Sequence, residues 1–550
     1  MKAFDDTKIN IFKLIFRLSK NIRGKRKLQL IFLFCTMVAS GLSEITILAT
    51  LVPFIQFLVN PNVIYTNKLA VNIFEFLNVS DTKDIALLIT IFFIVANILC
   101  SFLRVFNLWL TGRFAAGLGT DISFECYKKI IYQPYWYHIQ TNTSNIISLI
   151  TKEVKNTTSI VQIFLNMIAS LIILLFVSSA LLSLNWIIFV ITSFLFILIY
   201  LTIGLRVKGV LSENSRLITL KNAYQVKLIQ ESIGSIRDVI LGRLHGFYFK
   251  DYQLSEYKLR RSDMQNKYLQ MYPKYILDGL CFSLIGLIAF ILVINSPDKL
   301  TVISSLGVVA FGVQRLLPNF QLIFTSWATI QSNKYSLKKV LDCLEGLKYT
   351  NQKNIKFKKL KFKKYIKFNS IYFKYSNSKY VLKGINLTIF KGDKIAIVGK
   401  SGAGKTTLLD IMTCLLKPSR GSIFIDDIDL VNPRDYSDIY GFRNLITYVP
   451  QNIYLTDSSI AENIAFLKNS NEINYQRIKE VISIVEMDDF INNQPDRLNL
   501  RVGEKGTKLS GGQKQRIGLA RALYKKSNIL ILDESTNGID LETEEKIFKS

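Results

Sequence analysis

The stretch Gly399-Lys400-Ser401-Gly402-Ala403-Gly404-Lys405-Thr406 sets a lysine and a hydroxyl directly behind the second of two spaced glycines. Such glycines let backbone N–H groups close around phosphate oxygens, and a helix starting at the loop's end adds positive potential. Lys405 has the reach for the β- and γ-phosphates of a nucleotide, and Thr406 has the hydroxyl for Mg²⁺. A Gly-rich turn that matches by accident is the competing reading. It weakens because the apolar run Ile395-Ala396-Ile397-Val398 reads as a buried strand before the loop. Thr407-Leu408-Leu409-Asp410-Ile411-Met412 reads as a helix behind it.

More residues of the same chemistry lie around this loop. Val449-Pro450-Gln451 ends a strand and sets a glutamine at its edge. Leu509-Ser510-Gly511-Gly512-Gln513 opens a helix whose N-terminus suits a phosphate. Ile529-Leu530-Ile531-Leu532-Asp533-Glu534 is an apolar strand ending in two carboxylates, and Asn537-Gly538-Ile539-Asp540 follows it. Tyr375, upstream in Tyr372-Phe373-Lys374-Tyr375, either packs in a small sheet or stacks on a base.

All of these groups lie in the last third of the chain, and what precedes them differs in kind. The 550 residues are 49% hydrophobic with a net charge of +28, and nearly all long apolar runs come before residue 330. Six segments approach or exceed bilayer-spanning length, at 28–59, 85–111, 158–183, 186–205, 274–295 and 301–327. Basic clusters such as Arg23-Gly24-Lys25-Arg26-Lys27 flank them, as a positive-inside bias requires. That accounts for the charge better than nucleic-acid binding does, and six spans exclude a soluble DNA-acting protein. The long basic loops 112–157 and 206–273 are then cytoplasmic, while those near 184–185 and 296–300 are short. Apolar residues at helical spacing in Ile146 to Val161 and Gln225 to Ile240 carry the membrane helices into the cytoplasm. Their turning points, 135–144 and 212–221, are candidate contact elements for the soluble part.

Residues 1–27 are polar and basic, with an amphipathic piece at Ile11, Leu14, Ile15 and Leu18 that suits a helix along the membrane surface. The outer connection holds 69–77, which reads equally as a short amphipathic helix or a surface loop. Cys35, Cys100, Cys126, Cys281, Cys343 and Cys414 are scattered and indicate neither a disulfide framework nor a zinc site. No cleavable signal peptide is evident. The expected organisation is a membrane domain over 1–335, a linker over 336–365 and a nucleotide-binding domain over 366–550.

The set of nucleotide motifs, in this order, resembles the nucleotide-binding domain of an ATP-binding cassette (ABC) protein, and the helical part before it resembles an exporter-type half-transporter. The fold class implied is an α-helical six-span transmembrane domain followed by an α/β P-loop ATPase domain of the ABC type. The resemblance implies ATP and Mg²⁺ as cofactors. It implies nucleotide contacts from Gly399, Lys400, Ser401, Gly402, Ala403, Gly404, Lys405, Thr406, Thr407 and Gln451, with Tyr375 stacking on adenine. Thr406, Gln451 and Asp533 orient the metal, Asp533 through water. Glu534 is the general base, with Gln451 and Lys405 beside it as catalytic residues. Glu504 lies where such exporters contact the membrane helices. Ser510, Gly511, Gly512 and Gln513, with Asp540, complete the site of a second copy, so the working unit is a homodimer joined through both domains. Asn537-Gly538-Ile539-Asp540 departs from the family's Ser-Ala-Leu-Asp and retains only Asp540. The family also places a histidine on the γ-phosphate downstream of the Asp-Glu pair. The only histidines here are His138 and His245, so the sequence is read as C-terminally incomplete. ATP binding is expected, and an ATP-binding protein without turnover is a competing reading.

Charged residues in membrane segments are costly and are functional candidates. Glu44, Arg104, Lys274, Asp278 and Arg315 are such residues here, and Glu44, Arg104, Lys274 and Arg315 are the substrate candidates. The three cations could line a cavity for an anionic head group, or Arg104 and Lys274 could snorkel to the interface. Leu42-Ser43-Glu44, Val52-Pro53-Phe54-Ile55 and Arg315-Leu316-Leu317-Pro318 resemble bacterial flippases of undecaprenyl-pyrophosphate-linked oligosaccharides. The implied function is ATP-driven flipping of a (pyro)phosphate-linked lipid oligosaccharide in the bacterial inner membrane, with the cassette in the cytoplasm. The partners are a second copy and a membrane lipid or lipid-linked substrate, and not nucleic acid. A lipid, peptide or drug exporter of the same architecture is the alternative.

Overall fold

A computed structural model of the protein describes residues 10–22, 24–59, 82–295, 299–347, 360–376, 379–433, 436–466, 470–535 and 545. The stretch 69–77 and Asp540 lie outside the described residues. The chain divides into two compact units, Met1–Gln133 with His138–Tyr349, and Pro134–Tyr137 with Thr350–Ser550.

The first unit is helical. Helix α1 (Ile11–Lys20) is followed by α2 (Gly24–Val59) and α3 (Thr82–Ile131). Short helices α4 (Tyr135–Gln140) and α5 (Thr143–Ser148) and a π turn (Leu149–Glu153) lead into α6 (Val154–Gly234). Then come α7 (Ile236–Leu241), α8 (His245–Asn295), α9 (Lys299–Ser332) and α10 (Lys334–Gly346). Among the described residues four helical stretches qualify as membrane spans by length and composition: Gly24–Leu51, Asp84–Ile131, Thr143–Ser183 and Phe189–Gly234. The two remaining apolar segments read from the sequence fall within α8 and α9. Their sides in this unit mix buried and exposed apolar residues: Leu277 is buried while Phe282 is 75% exposed. A helix apolar on its outer face needs a non-aqueous surround.

Two expectations fail here. The backbone stays helical through 184–185, where a short loop was expected, because no glycine or proline interrupts Leu181-Leu182-Ser183-Leu184-Asn185-Trp186. The N-terminal amphipathic stretch does form a helix, but Ile11, Leu14 and Leu18 are buried inside the unit instead of facing a membrane surface. Helix α10 supplies the partner. Arg17 reaches Glu345 at 2.8 Å and Asp342 at 3.3 Å on it, and this fixes which way the apolar face of α1 turns.

In the second unit, β1 (Tyr365–Phe373), β2 (Leu382–Phe390), β3 (Arg420–Ile425) and β4 (Ile428–Asp429) make an antiparallel sheet in the order β2-β1-β3-β4. Strands β5 (Ile446–Val449) and β6 (Ile529–Leu532) pair in parallel, with Val449 opposite Leu532. Between them lie α11 (Lys405–Met412), α12 (Ser437–Leu445), α13 (Ile460–Ala465), α14 (Tyr475–Ile484), α15 (Asp488–Asn492) and α16 (Gly511–Tyr524). One apolar core joins β1, β3 and α11 through Phe368, Ile411 and Ile423. A second joins α13, α14 and α16 through Ile464, Val481 and Ile517. The antiparallel pairing of β1 with β3 depends on Gly421, whose φ of +98° is open to glycine and strained for other residues.

The run Ile395–Val398 corrects the strand expected ahead of the phosphate loop. It is not strand in the structure, and Val398 is 91% exposed. An apolar run becomes a buried strand only where a neighbour offers ladder partners and a covered face. Among the described residues no strand pairs with this one.

Candidate functional site

The phosphate loop is built by backbone conformation. Gly402 and Gly404 take φ of +78° and +93°, values that L side chains rarely adopt. Gly404 is the N-cap of α11, so the first N–H groups of that helix point out at the loop's end. The Nζ of Lys405 donates to the carbonyl of Gly399 at 2.8 Å, which holds the ammonium over the loop. Thr406 is exposed at the first turn, while Thr407 is buried below it. Lys400, Ser401, Gly402 and Ala403 line the exposed rim, and the N–H of Ala403 donates to the carbonyl of Lys400 at 3.1 Å.

The parallel pairing of β5 and β6 brings the polar residues past their ends together. The N–H of Asp533 donates to the carbonyl of Val449 at 3.0 Å, one step beyond the ladder. Gln451 Nε2 then donates to Glu534 Oε2 at 2.7 Å. Glu534 sits at φ +47°, a left-handed conformation of non-glycine residues that costs energy and clusters at functional sites.

A neighbour not singled out in the sequence completes this corner. The hydroxyl of Tyr448, in β5, donates to Asp533 Oδ2 at 2.8 Å. Burial, then its bond to Asp533, pushes the Tyr448 phenol above its usual range, so it stays a proton donor at neutral pH. Asp410, buried on α11, is pushed up to about 6 by burial first and by Asp533 second. The sequence carries no signal for this role of Tyr448, because its place beside Asp533 comes from the pairing of β5 with β6.

Tyr375 has company of its own. Its ring stacks on Trp136 at 5.9 Å and meets Phe373 edge-on at 4.9 Å, and its hydroxyl lies 3.1 Å from Thr407 Oγ1. Trp136 belongs to Pro134–Tyr137, the short segment that falls with the second unit. Tyr135 is part of the same group, its phenol pushed up by burial, then by Asp410 and Tyr375.

The Leu-Ser-Gly-Gly-Gln element opens α16. Ser510 is its N-cap, with Ser510 Oγ accepting from the N–H of Gln513 at 3.2 Å and Gln513 Oε1 accepting from the N–H of Ser510 at 2.9 Å. This reciprocal cap spends both side chains on the helix end and leaves Gly511 exposed, with open space where a Cβ would stand.

In the first unit, three of the four charged membrane-segment candidates meet. Glu44, 1% exposed on α2, pairs with Arg104 on α3 and with Arg315 on α9 at 3.5 Å. Cys100 Sγ donates to Glu44 Oε1 at 3.0 Å. Lys274 lies elsewhere, over the ring of Tyr275 at 6.0 Å.

A family model described as ABC transporter matches residues 382–537. The protein called heterocyst differentiation ATP-binding protein HepA, from Nostoc sp., is 28% identical over 98% of this chain and 86% of its own length. An ATP-dependent lipid A-core flippase of Wigglesworthia glossinidia brevipalpis is 44% identical, but over 34% of this chain and 31% of the flippase. The solved structure of a bacterial Atm1-family ABC exporter with ATP bound superposes with a TM-score of 0.74, at 19% identity, over 95% of this chain and 88% of that one. That likeness shows a shared fold of a helical domain ahead of an ATPase domain. The phosphate loop, the carboxylate pair and the Ser-Gly-Gly-Gln helix start all lie within the matched residues, so 382–537 is an ABC transporter ATPase domain, and the chain as a whole is similar to ABC exporters.

Proposed function

We propose that the chain flips a (pyro)phosphate-linked lipid oligosaccharide across the bacterial inner membrane at the expense of ATP. It works as a homodimer with six spans per copy, and its cassettes are cytoplasmic. The expected boundary at 335 moves: the membrane domain takes in α10, which packs on α1 in the first unit, a linker follows it, and the cassette has its first strand from Tyr365. The observation that carries the substrate class is the meeting of Arg104 and Arg315 inside the helical unit. Guanidiniums suit phosphate oxygens, and they are rare in membrane segments without a function. The lipid A-core flippases among the relatives support a lipid cargo.

The residues at the cassette corner fit Mg²⁺. Thr406, Gln451 and Asp533 offer a hydroxyl, an amide oxygen and a carboxylate, all hard oxygen donors. Among the described residues no group of three His, Cys, Asp or Glu forms a self-contained cage. Such a sparse set is what Mg²⁺ uses when nucleotide phosphates supply the other ligands. When bound, the ion neutralises charge on the transferring phosphoryl group. The protein's own part is positional. The loop N–H groups and Lys405 hold the β- and γ-phosphates, and Glu534 accepts the proton of the attacking water. Gln451 holds Glu534 through the 2.7 Å bond and so fixes where that base points. Tyr375 offers its ring to adenine. Ser510, Gly511, Gly512 and Gln513, with Asp540, contribute to the second copy's nucleotide, so ATP binding draws two cassettes together and hydrolysis releases them.

The test is ATPase stimulation of the full chain in lipid nanodiscs against a panel of a polyprenyl-diphosphate lipid, a neutral lipid, a peptide and a drug. Stimulation by the diphosphate lipid alone, lost in Arg104→Ala and Arg315→Ala, is expected. Stimulation by the peptide or drug instead would move the assignment to the alternative exporter class.

A further inference from the structure

Lysines beside membrane segments ordinarily reach into water, and a positive-inside bias asks no more of them. Lys334 does not. It is the first residue of α10, just past the apolar segment 301–327, and it is 6% exposed. Its Nζ stands 5.6 Å from the ring centre of Tyr335, and among the described residues no acid pairs with it. The charge that acts on it is a second cation, Lys208. Burial first, and Lys208 second, hold the Lys334 ammonium below the usual lysine range.

The packing of α6 along α9 and α10 brings the two lysines together. A Cβ on Gly204 would meet Trp327 at 3.5 Å, and further along the N–H of Tyr335 donates to Ser215 Oγ at 3.2 Å. The helices therefore run side by side in the same direction, with Lys208 between these two contacts. Lys208 lies about two turns before Ser215 on the same stripe of α6, with Leu211 fully buried between them. It is exposed, and a Cβ on the neighbouring Gly209 would meet nothing within 4 Å, so the corner is open on that side. Asn333, the N-cap of α10, makes no side-chain bond to the helix end, and the positive end of that helix adds to the two ammoniums.

We infer that Lys334 and Lys208, at the start of α10, form a binding site for a phosphate oxyanion, the group that anionic lipid headgroups and free phosphate share. Without an anion the two cations repel each other and one of them is buried. An oxyanion between them turns that repulsion into two charge-assisted hydrogen bonds. The depth suits a lipid. Lys208 follows the apolar segment 186–205 as Lys334 follows 301–327, so both stand where neighbouring membrane segments end. Headgroup phosphates lie at that level, and basic pockets between membrane helices take them. A bound phosphate would tie α6 to α10, the helix that holds α1 through Arg17 and Glu345. The site is separate from Glu44, Arg104 and Arg315 and does not depend on what the chain transports.

Acylation of Lys334 reads the site directly, because only the free amine reacts, and a bound oxyanion both covers it and keeps it protonated. The full chain is placed in nanodiscs of phosphatidylcholine alone and of phosphatidylcholine with phosphatidylglycerol, treated briefly with an acetylating reagent, and digested for mass spectrometry. A third sample adds inorganic phosphate to the phosphatidylcholine discs, with sodium chloride of matched ionic strength as its control. Rates are taken relative to Lys27, an exposed lysine beside the first membrane segment that reports the surface charge alone. Phosphatidylglycerol is expected to lower the relative acylation of Lys334 about tenfold, the scale of one charge-assisted contact. In Lys208→Gln, a change at an exposed side chain, that protection is expected to shrink severalfold. Protection by inorganic phosphate without protection by phosphatidylglycerol would keep the site and make its ligand a free anion. No change relative to Lys27 in any sample, an effect that sodium chloride reproduces, or full protection in Lys208→Gln would overturn the inference.

Discussion

Replacing Tyr448 with Phe removes one oxygen from the cassette and should separate metal binding from nucleotide binding. The Tyr448 hydroxyl donates to Asp533 Oδ2 at 2.8 Å, from a strand that is itself paired to the strand carrying Asp533. A hydrogen bond to a charged acceptor contributes about 1.5–3 kcal/mol. The pair is only half-buried, so the lower part of that range applies. Part of the loss is folding stability, and part is the orientation of the carboxylate. Deleting the group that orients a metal's carboxylate ligand typically lowers metal affinity about 10- to 100-fold. For Tyr448→Phe we expect a loss near the lower end, with metal-free binding of ATP within about twofold of the unaltered chain, because no loop contact changes. The assay is Mn²⁺ paramagnetic resonance on the full chain in nanodiscs, loaded with a non-hydrolysable ATP analogue, beside nucleotide affinity in chelator. Unchanged Mn²⁺ affinity would refute the orienting role. Equal loss of Mn²⁺ and metal-free nucleotide binding would refute it too, since that pattern is general damage to the cassette.

Other substitutions test other parts of the account. Asp410 carries a carboxyl pushed up to about 6 by burial and then by Asp533, above its unfolded value of about 3.9. The folded state therefore holds the proton more firmly, stability falls as pH rises through that window, and the cost is complete above it. Asp410→Asn removes the cost, so it should raise the cassette's unfolding temperature at about pH 7.5 more than at about pH 4.5. An equal gain at both, or a loss at the higher pH, would sink the assignment. At Gly421 a Cβ would stand 2.4 Å from the carbonyl oxygen of Ser370 and 2.6 Å from that of Asn369, both backbone atoms, at φ +98°. Gly421→Ala should destabilise the cassette by about 2 kcal/mol or more, read by denaturant unfolding, and a near-neutral result would mean the β1–β3 pairing relaxes more than packed backbone should.

What the sequence made legible was local. The phosphate loop, the helix start at Ser510 and the carboxylates after β6 are each defined by neighbours in the chain, and the structure puts each on its element. What it hid depends on distant partners. Ile395–Val398 has the composition of a buried strand, but composition cannot supply a ladder. The apolar face of α1 fits a membrane surface or a helix equally well, and Arg17 with Glu345, far apart in sequence, decides for the helix. Tyr448 reads as one aromatic among many until β5 pairs with β6. Glu44, Arg104 and Arg315 stood out singly as charges in apolar segments, but nothing in the sequence shows that one acid serves both bases. Tyr375 behaves similarly: its spacing from the loop invites a stacking role, while its stack on Trp136 appears only in three dimensions.

The central claim, ATP-driven lipid translocation, is tested most directly by following a fluorescent polyprenyl-diphosphate lipid between leaflets of proteoliposomes that hold the full chain. The account predicts that ATP with Mg²⁺ accelerates its movement, and that Glu534→Gln binds ATP yet leaves movement at the rate of protein-free vesicles. Equal movement with and without ATP, or an undiminished rate in Glu534→Gln, would contradict it.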